Sequence, residues 1–114
     1  MYERGRTVEF IYTPLFERSA RGWLDDSSMR EAELTLLANP RAGALVAGTG
    51  GVRKLRVALP GRGKRGSARV AYLYVAVRGQ IYFLLAYAKG EQVDLSRADK
   101  QALRRSAGEL EEEE

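Results

Sequence analysis

Gly48–Tyr74 reads GTGGVRKLRVALPGRGKRGSARVAYLY, and its pattern decides the fold. A glycine-rich bend leads into Val52–Leu59, where side chains of two kinds alternate. Leu55, Val57 and Leu59 share one side with Arg53, while Val52, Lys54, Arg56 and Ala58 share the other. Successive side chains of a strand point to opposite faces, so this segment reads as a strand with Lys54 and Arg56 side by side. Pro60–Ser67 is a Gly-rich turn carrying Arg62, Lys64 and Arg65. Ala68–Val77 alternates again, with Arg69, Ala71, Leu73, Val75 and Val77 on one face and Val70, Tyr72 and Tyr74 on the other. Strand, short turn and strand predict a hairpin. Whether Arg69 lies on the face of Lys54 and Arg56 depends on register, which these residues leave open.

Outward from the hairpin, Arg78-Gly79 is a two-residue turn signal. It leads to Gln80–Ala88, apolar on both faces apart from its tyrosines and therefore a strand of the sheet centre. Upstream, Thr7–Tyr12 (TVEFIY) is rich in β-branched and aromatic residues and reads as a first strand. Pro14 suits a helix start, and a short helix is expected over Leu15–Gly22. A second is expected over Asp25–Ala38, with Ser28 and Glu31 at capping-box spacing. Its apolar face holds Met29, Ala32, Leu36 and Leu37, widened by Leu34. Asn39-Pro40 stops it, and Arg41–Gly51 reads as a loop. A last helix is expected over Asp94–Ala107, capped by Ser96 with Asp99 three residues on. The order β-α-α-β-β-β-α predicts an α+β fold: an antiparallel-rich sheet with an N-terminal helical hairpin and a C-terminal helix. Residues 1–108 are expected to form one domain, and 109–114 a solvated, disordered acidic tail.

Charge is distributed unevenly. The 114 residues carry 19 Lys and Arg against 15 Asp and Glu, a formal net charge of +4. From Leu34 to Gly90 there is no acid at all. That span holds Arg41, Arg53, Lys54, Arg56, Arg62, Lys64, Arg65, Arg69, Arg78 and Lys89. One sign of charge over half the chain predicts a polyanion-binding surface. The chain contains no Cys and no His, which excludes disulfides, Cys/His metal sites, Ser-His-Asp triads and histidine general bases. No metal and no cofactor is implied. No apolar run approaches a membrane span, and Met1–Arg6 leads straight into a strand-like segment without a signal peptide, so a cytoplasmic location is expected.

Lys54, Arg56 and Arg69 form the leading candidate cluster, read as a phosphate clamp. The same charges also suit the solvated outer face of an antiparallel sheet. Arg62, Lys64 and Arg65 extend the basic surface and suit a nucleic-acid backbone. The glycines at 48–51 and 61–63 lack the G-x-x-x-x-G-K-[ST] spacing of a phosphate loop and permit bends instead. Tyr72, Tyr74, Tyr82 and Tyr87 suit either base stacking or the core. Tyr87 stands out because it lies beside Lys89 at a strand end.

NPRAG, GTGGVRKLR (Gly48–Arg56), GRGKRG (Gly61–Gly66) before ARVAYLY, and AYAKGE (Ala86–Glu91) together resemble RelE/HigB-type toxins of bacterial type II toxin–antitoxin pairs. The resemblance runs from Val8 to about Ala107. It implies a RelE-like fold and a metal-independent endoribonuclease that cuts mRNA at the ribosome and inhibits translation. It also implies an antitoxin partner, in this branch usually of helix-turn-helix type. Lys54 and Arg56 match the basic pair on the strand, Arg69 the arginine opening the next strand, and Lys89 the basic position ending the fourth. By that resemblance Lys54, crowded by Arg53 and Arg56, is the candidate base, and Arg56 and Arg69 stabilise phosphate charge. Arg53, Arg62, Lys64, Arg65, Tyr87 and Lys89 are candidate RNA contacts. The chain departs from the family pattern in having no aromatic residue after Lys89. Alternatives from other classes are a non-catalytic toxin of this fold that binds its target, as ParE-like relatives do, and a basic ribosome-associated structural protein.

Overall fold

A computed structural model describes residues 8–59, 67–88 and 95–112. The elements are β1 (Glu9–Tyr12), α1 (Pro14–Ala20), α2 (Asp26–Ala38), β2 (Ala44–Leu45), β3 (Arg53–Ala58), β4 (Ser67–Val75), β5 (Gln80–Ala88) and α3 (Arg97–Glu112). The expected α+β class holds, but the sheet has five strands, in the order β1-β5-β4-β3-β2. β1 runs parallel to β5, and every other pair is antiparallel. The strand missing from the sequence reading is β2. It has two residues inside the expected 41–51 loop, too few for alternation to register. It exists because Ala44 and Leu45 pair with Lys54 and Arg53.

The sheet is buried on both sides. Val57, Val70, Tyr72, Ile81 and Phe83 face the α1–α2 hairpin, packing with Phe16, Met29, Ala32 and Leu36. Phe83 is the centre of an aromatic cluster, with ring centroids 4.9 Å from Tyr12, 5.6 Å from Phe16 and 5.8 Å from Phe10. The other face packs Val52, Ala71, Leu73, Val75, Tyr82 and Leu84 against Leu103 and Ala107 of α3.

Local chemistry accounts for the helix ends. Thr13 caps α1, accepting the Phe16 N–H, and its hydroxyl donates to the Phe83 carbonyl, tying the helix start to β5. Asp25, not Ser28, caps α2: its carboxylate accepts the Ser28 N–H at 3.0 Å. Ser28 is buried, and its hydroxyl instead reaches the Ala58 carbonyl of β3. Leu34 and Leu37 are 56% and 52% exposed, so neither belongs to the core stripe assigned to them. The β4–β5 connection is a 3-10 turn over Ala76–Arg78 with Gly79 at φ 64°, rather than a two-residue turn. Val77 therefore leaves the strand. The capping box of α3 forms as expected, with Ser96 accepting the Asp99 N–H and Asp99 accepting the Ser96 N–H. The helix continues past Ala107 to Glu112, so residues 109–112 of the expected tail are helical. Arg78 anchors its far end by donating to the Leu110 carbonyl at 2.6 Å.

The turn between α2 and β2 is held by one rung of the β3–β4 ladder, Arg53 opposite Tyr72. The Tyr72 hydroxyl donates to the Pro40 carbonyl and accepts the Gly43 N–H, at 2.8 and 2.9 Å. The Arg53 guanidinium donates to the carbonyls of Gly43 and Arg41. A Cβ on Gly43 would lie 2.6 Å from the Lys54 carbonyl oxygen and 2.8 Å from a Tyr72 ring carbon. Gly43→Ala should therefore cost about 1–3 kcal/mol through overpacking. Tyr72→Phe should cost a similar amount, because the buried Gly43 N–H loses its acceptor. Urea unfolding measures both.

Tyr12 gives a pH-dependent counterpart. Burial, and then its hydrogen bond to the Glu33 carboxylate, raise its phenol well above the usual tyrosine range. A raised folded-state value means the contribution is complete below the unfolded value, about 10. It is lost as pH rises through the folded value. Tyr12→Phe should cost about 0.5–1.5 kcal/mol at neutral pH. The gap from wild type should narrow above pH of about 10, read from unfolding at stepped pH.

Candidate nucleic-acid interface

Lys54 and Arg56 alternate with Leu55 and Val57, so they fall on the α3 side of the sheet together with Val52. The register answers what the sequence left open. Arg56 lies directly opposite Arg69, and Lys54 opposite Ala71. Arg69 is in turn directly opposite Tyr87. One row across β3, β4 and β5 thus reads Arg56, Arg69, Tyr87, with Lys54 two residues back on the same face.

Tyr87 reaches this row through an irregularity. Tyr72 partners Phe83, whereas Ala71 partners Leu85, so Leu84 is an extra residue on β5. Before it, the even-numbered Tyr82 faces α3; after it, the odd-numbered Leu85 and Tyr87 do. A bulge of this kind re-aims every side chain beyond it. Ser19 of α1 supports the re-aimed stretch, its hydroxyl accepting the Ala86 N–H at 2.8 Å.

Within the row, Arg56 and Arg69 place two like charges opposite one another. Directly opposed residues of an antiparallel pair bring their Cβ atoms to about 4.5–5.5 Å, where like charges repel. The Nη1 of Arg69 is buried and has no hydrogen-bond partner among the described residues. A buried N–H left without an acceptor costs about 1–3 kcal/mol. Arg56 is exposed, and Lys54 and Arg69 are half-buried, so the row opens to solvent at its β3 end. An oxyanion between Arg56 and Arg69 would remove the repulsion and supply the missing acceptor. No group of three His, Cys, Asp or Glu suited to a metal occurs among the described residues.

The other candidates separate from this row. Arg53 lies on the opposite face from Lys54, its Nη1 donating to the carbonyls of Arg41 and Gly43, so it does not join this row. Tyr72 and Tyr82 are buried. Tyr74 faces the helical hairpin, under the Arg41 guanidinium at 5.0 Å. Arg62, Lys64 and Arg65 lie outside the described residues. Their segment joins Ala58 to Ser67, which pair two rungs beyond Arg56–Arg69. Lys89 also lies outside them, following Ala88, one rung beyond Arg69–Tyr87.

With this geometry in hand, residues 10–114 match the family model for the RelE toxin of the RelE/RelB toxin–antitoxin system. The chain belongs to the RelE toxin family. It is thus the toxin member of a toxin–antitoxin pair and has an antitoxin partner. The RelE fold is seen as well in a solved structure, an arginine-to-alanine double mutant of the E. coli toxin RelE in the free state. The two share 12% identity at a TM-score of 0.54, over 88% of this chain and 96% of that one. Among the described residues no helix of this RelE-family toxin is long and apolar enough to cross a membrane.

The opposed arginines make a direct prediction. Arg56→Gln should leave the fold intact and raise low-salt stability by about 0.2–1 kcal/mol. The gain should vanish near 1 M salt, where screening reaches about 3 Å. Added sulfate should stabilise the wild type more than the variant. Thermal melts across a salt series measure all three.

Proposed function

We propose that this toxin is a ribosome-dependent mRNA endoribonuclease that inhibits translation in the cytoplasm. The observation that carries the reading is the Arg56–Arg69 opposition, with Lys54 on the same face and a buried Arg69 N–H that has no acceptor among the described residues. Two cations held this close fit a phosphodiester, whose charge rises during cleavage. Membership of the RelE toxin family supports a message as the target, and the acid-free span from Leu34 to Gly90 suits the approach of a polyanion.

In this reading the ribose 2′-hydroxyl attacks the adjacent phosphorus. Lys54 accepts its proton as the new P–O bond forms. Arg56 and Arg69 donate hydrogen bonds to the non-bridging oxygens, which carry the developing charge of the phosphorane. The bond to the 5′-oxygen then breaks, and that oxygen takes up a proton from water. The products are a 2′,3′-cyclic phosphate and a 5′-hydroxyl. The scheme uses no histidine, and the chain contains none. Tyr87, Lys89, Arg62, Lys64 and Arg65 are proposed as contacts to the message, and the antitoxin as a helix-turn-helix protein.

Induction of the wild type should arrest growth and cut translated messages, and Lys54→Ala/Arg56→Ala should do neither. Lys54→Arg divides two roles for the residue, because a guanidinium keeps the charge but gives up no proton in this pH range. If Lys54 moves the proton, Lys54→Arg should slow cleavage about 10²–10⁴-fold while ribosome binding persists. Cleavage at the wild-type rate would make Lys54 a charge contact only. Arrest that survives the double substitution would point to a toxin that works by binding its target.

A further inference from the structure

Helix α3 carries cations that its own local chemistry does not call for. Arg97 opens the helix, where the macrodipole disfavours a positive charge. Arg104 stands about two turns short of the C-terminal end, and the last turn holds no basic residue, so it does not offset the dipole there either. Arg97 and Arg104 are exposed and Lys100 is half-buried. At about 100° per residue these three fall within about 60° of one another, on one flank of α3. Glu111 falls on the same flank, and a Cβ on Gly51 would lie 3.9 Å from its carboxylate. Gly51 leads into β3, so this flank faces β3. The other flank, with Ser106 and Glu109, lines a cavity with Thr13, Pro14 and Leu15 after β1. The ends of α3 set its level against the sheet. Arg78, in the β4–β5 turn, holds the Leu110 carbonyl, while Leu95 shares a cluster with Tyr87 at the other end of β5. From Leu110 back to Arg97 the helix rises about 20 Å, and from Val75 to Arg69 the strand rises about 20 Å. Arg97 therefore stands level with the Arg56–Arg69 rung, on the side of the sheet to which Lys54 and Arg56 point.

We propose that α3 and β3 are the two walls of a track for single-stranded RNA. Arg97, Lys100 and Arg104 hold backbone phosphates that flank the one set between Arg56 and Arg69. Cations on two facing walls concentrate the field between them, which favours a polyanion lying along the trough. Arg97 and Arg104 are about 10 Å apart along the helix, a reach that takes in more than one phosphate. Contacts to phosphate fix the register of a strand without reading its bases. The α3 flank therefore holds the strand in place and leaves the chemistry to Lys54, Arg56 and Arg69. The track deepens the cleavage reading and rests on it for the message as ligand; the site itself rests on the geometry of α3.

The test uses a labelled single-stranded RNA with every 2′-hydroxyl methylated, so that binding is read without cleavage, and follows fluorescence anisotropy over a salt series. Arg97→Gln/Arg104→Gln should bind about tenfold more weakly than the wild type at low salt. Its plot of log affinity against log salt should be shallower by about 1.4, at about 0.7 for each of two lost phosphate contacts. Arg105→Gln removes a charge from a side of α3 turned away from β3, and should stay within twofold of the wild type with its slope kept. Thermal melts report the fold: Arg97→Gln relieves a cation at the helix start and should not lower the melting temperature. A double variant that binds within twofold of the wild type at the same slope would overturn the proposal. So would an equal loss in Arg105→Gln, or a wild type that does not bind the RNA. The cleavage reading fails separately: a wild type that binds this RNA through the α3 flank but leaves translated messages uncut would remove that reading and keep the track.

Discussion

The rung formed by Arg53 and Tyr72 is the constraint on which the site depends. Both side chains point to the helical-hairpin face, and both grip the turn 40–43, one through carbonyls and the other through its hydroxyl. Hydrogen bonds along a ladder do not by themselves choose a register, because a slipped pair makes nearly as many. Shifting β3 by one residue against β4 would move its apolar residues to the wrong face. It would also pull Arg53 away from the turn that Tyr72 holds. With that rung fixed, Arg56 must meet Arg69 three rungs along. The meeting of two like charges is a consequence of contacts made elsewhere and is held in place by them.

The second determinant is the extra residue in β5. Without it, Tyr87 would sit on the face of Phe83 and Ala86, within the core beneath α1. With it, Tyr87 completes the cationic row. The strand tolerates the irregularity because both faces stay apolar: Leu84 and Leu85 each pack on the α3 side, and Ser19 takes the Ala86 N–H. Helix α1 therefore contributes to a site on the far side of the sheet, by stabilising the backbone that presents it.

Much of this was legible in the sequence, for identifiable reasons. Alternation over Val52–Leu59 and Ala68–Val77 is long and clean, so both strands and the shared face of Lys54 and Arg56 could be read directly. Pro14, Ser96 and Asp99 mark helix starts through chemistry local to a few residues. The register between Arg56 and Arg69 was not legible, since it depends on a contact from Tyr72 to a turn thirty-odd residues upstream. The place of Tyr87 was not legible either: in a strand apolar on both faces, one inserted residue leaves no trace in the pattern. Leu34 and Leu37 were drawn into the core by helical periodicity alone. A helix with two apolar stripes has only one core to face, and the sequence does not say which stripe wins. The exposure of these leucines is as informative as the burial of Leu36.

The two sides of the sheet divide the demands made on such a protein. The proposed site for a charged, repeating backbone brings Arg56 and Arg69 into opposition, which destabilises the free chain locally. The opposite side carries most of the compensating order: the aromatic cluster around Phe83, the Ser28 and Thr13 bonds to strand carbonyls, and the Tyr72 clamp. The acids lie on the helices rather than on the central strands: Asp99, Glu109, Glu111 and Glu112 are on α3. Glu17, Asp25, Asp26, Glu31 and Glu33 all lie on the α1–α2 hairpin, and none lies between Leu34 and Gly90. No carboxylate of the central strands can therefore neutralise Arg56 and Arg69 from within their own rungs. In the proposed reading, an anion arriving from outside meets two arginines whose rung is already fixed by packing, and the order it needs has been established by contacts it never touches.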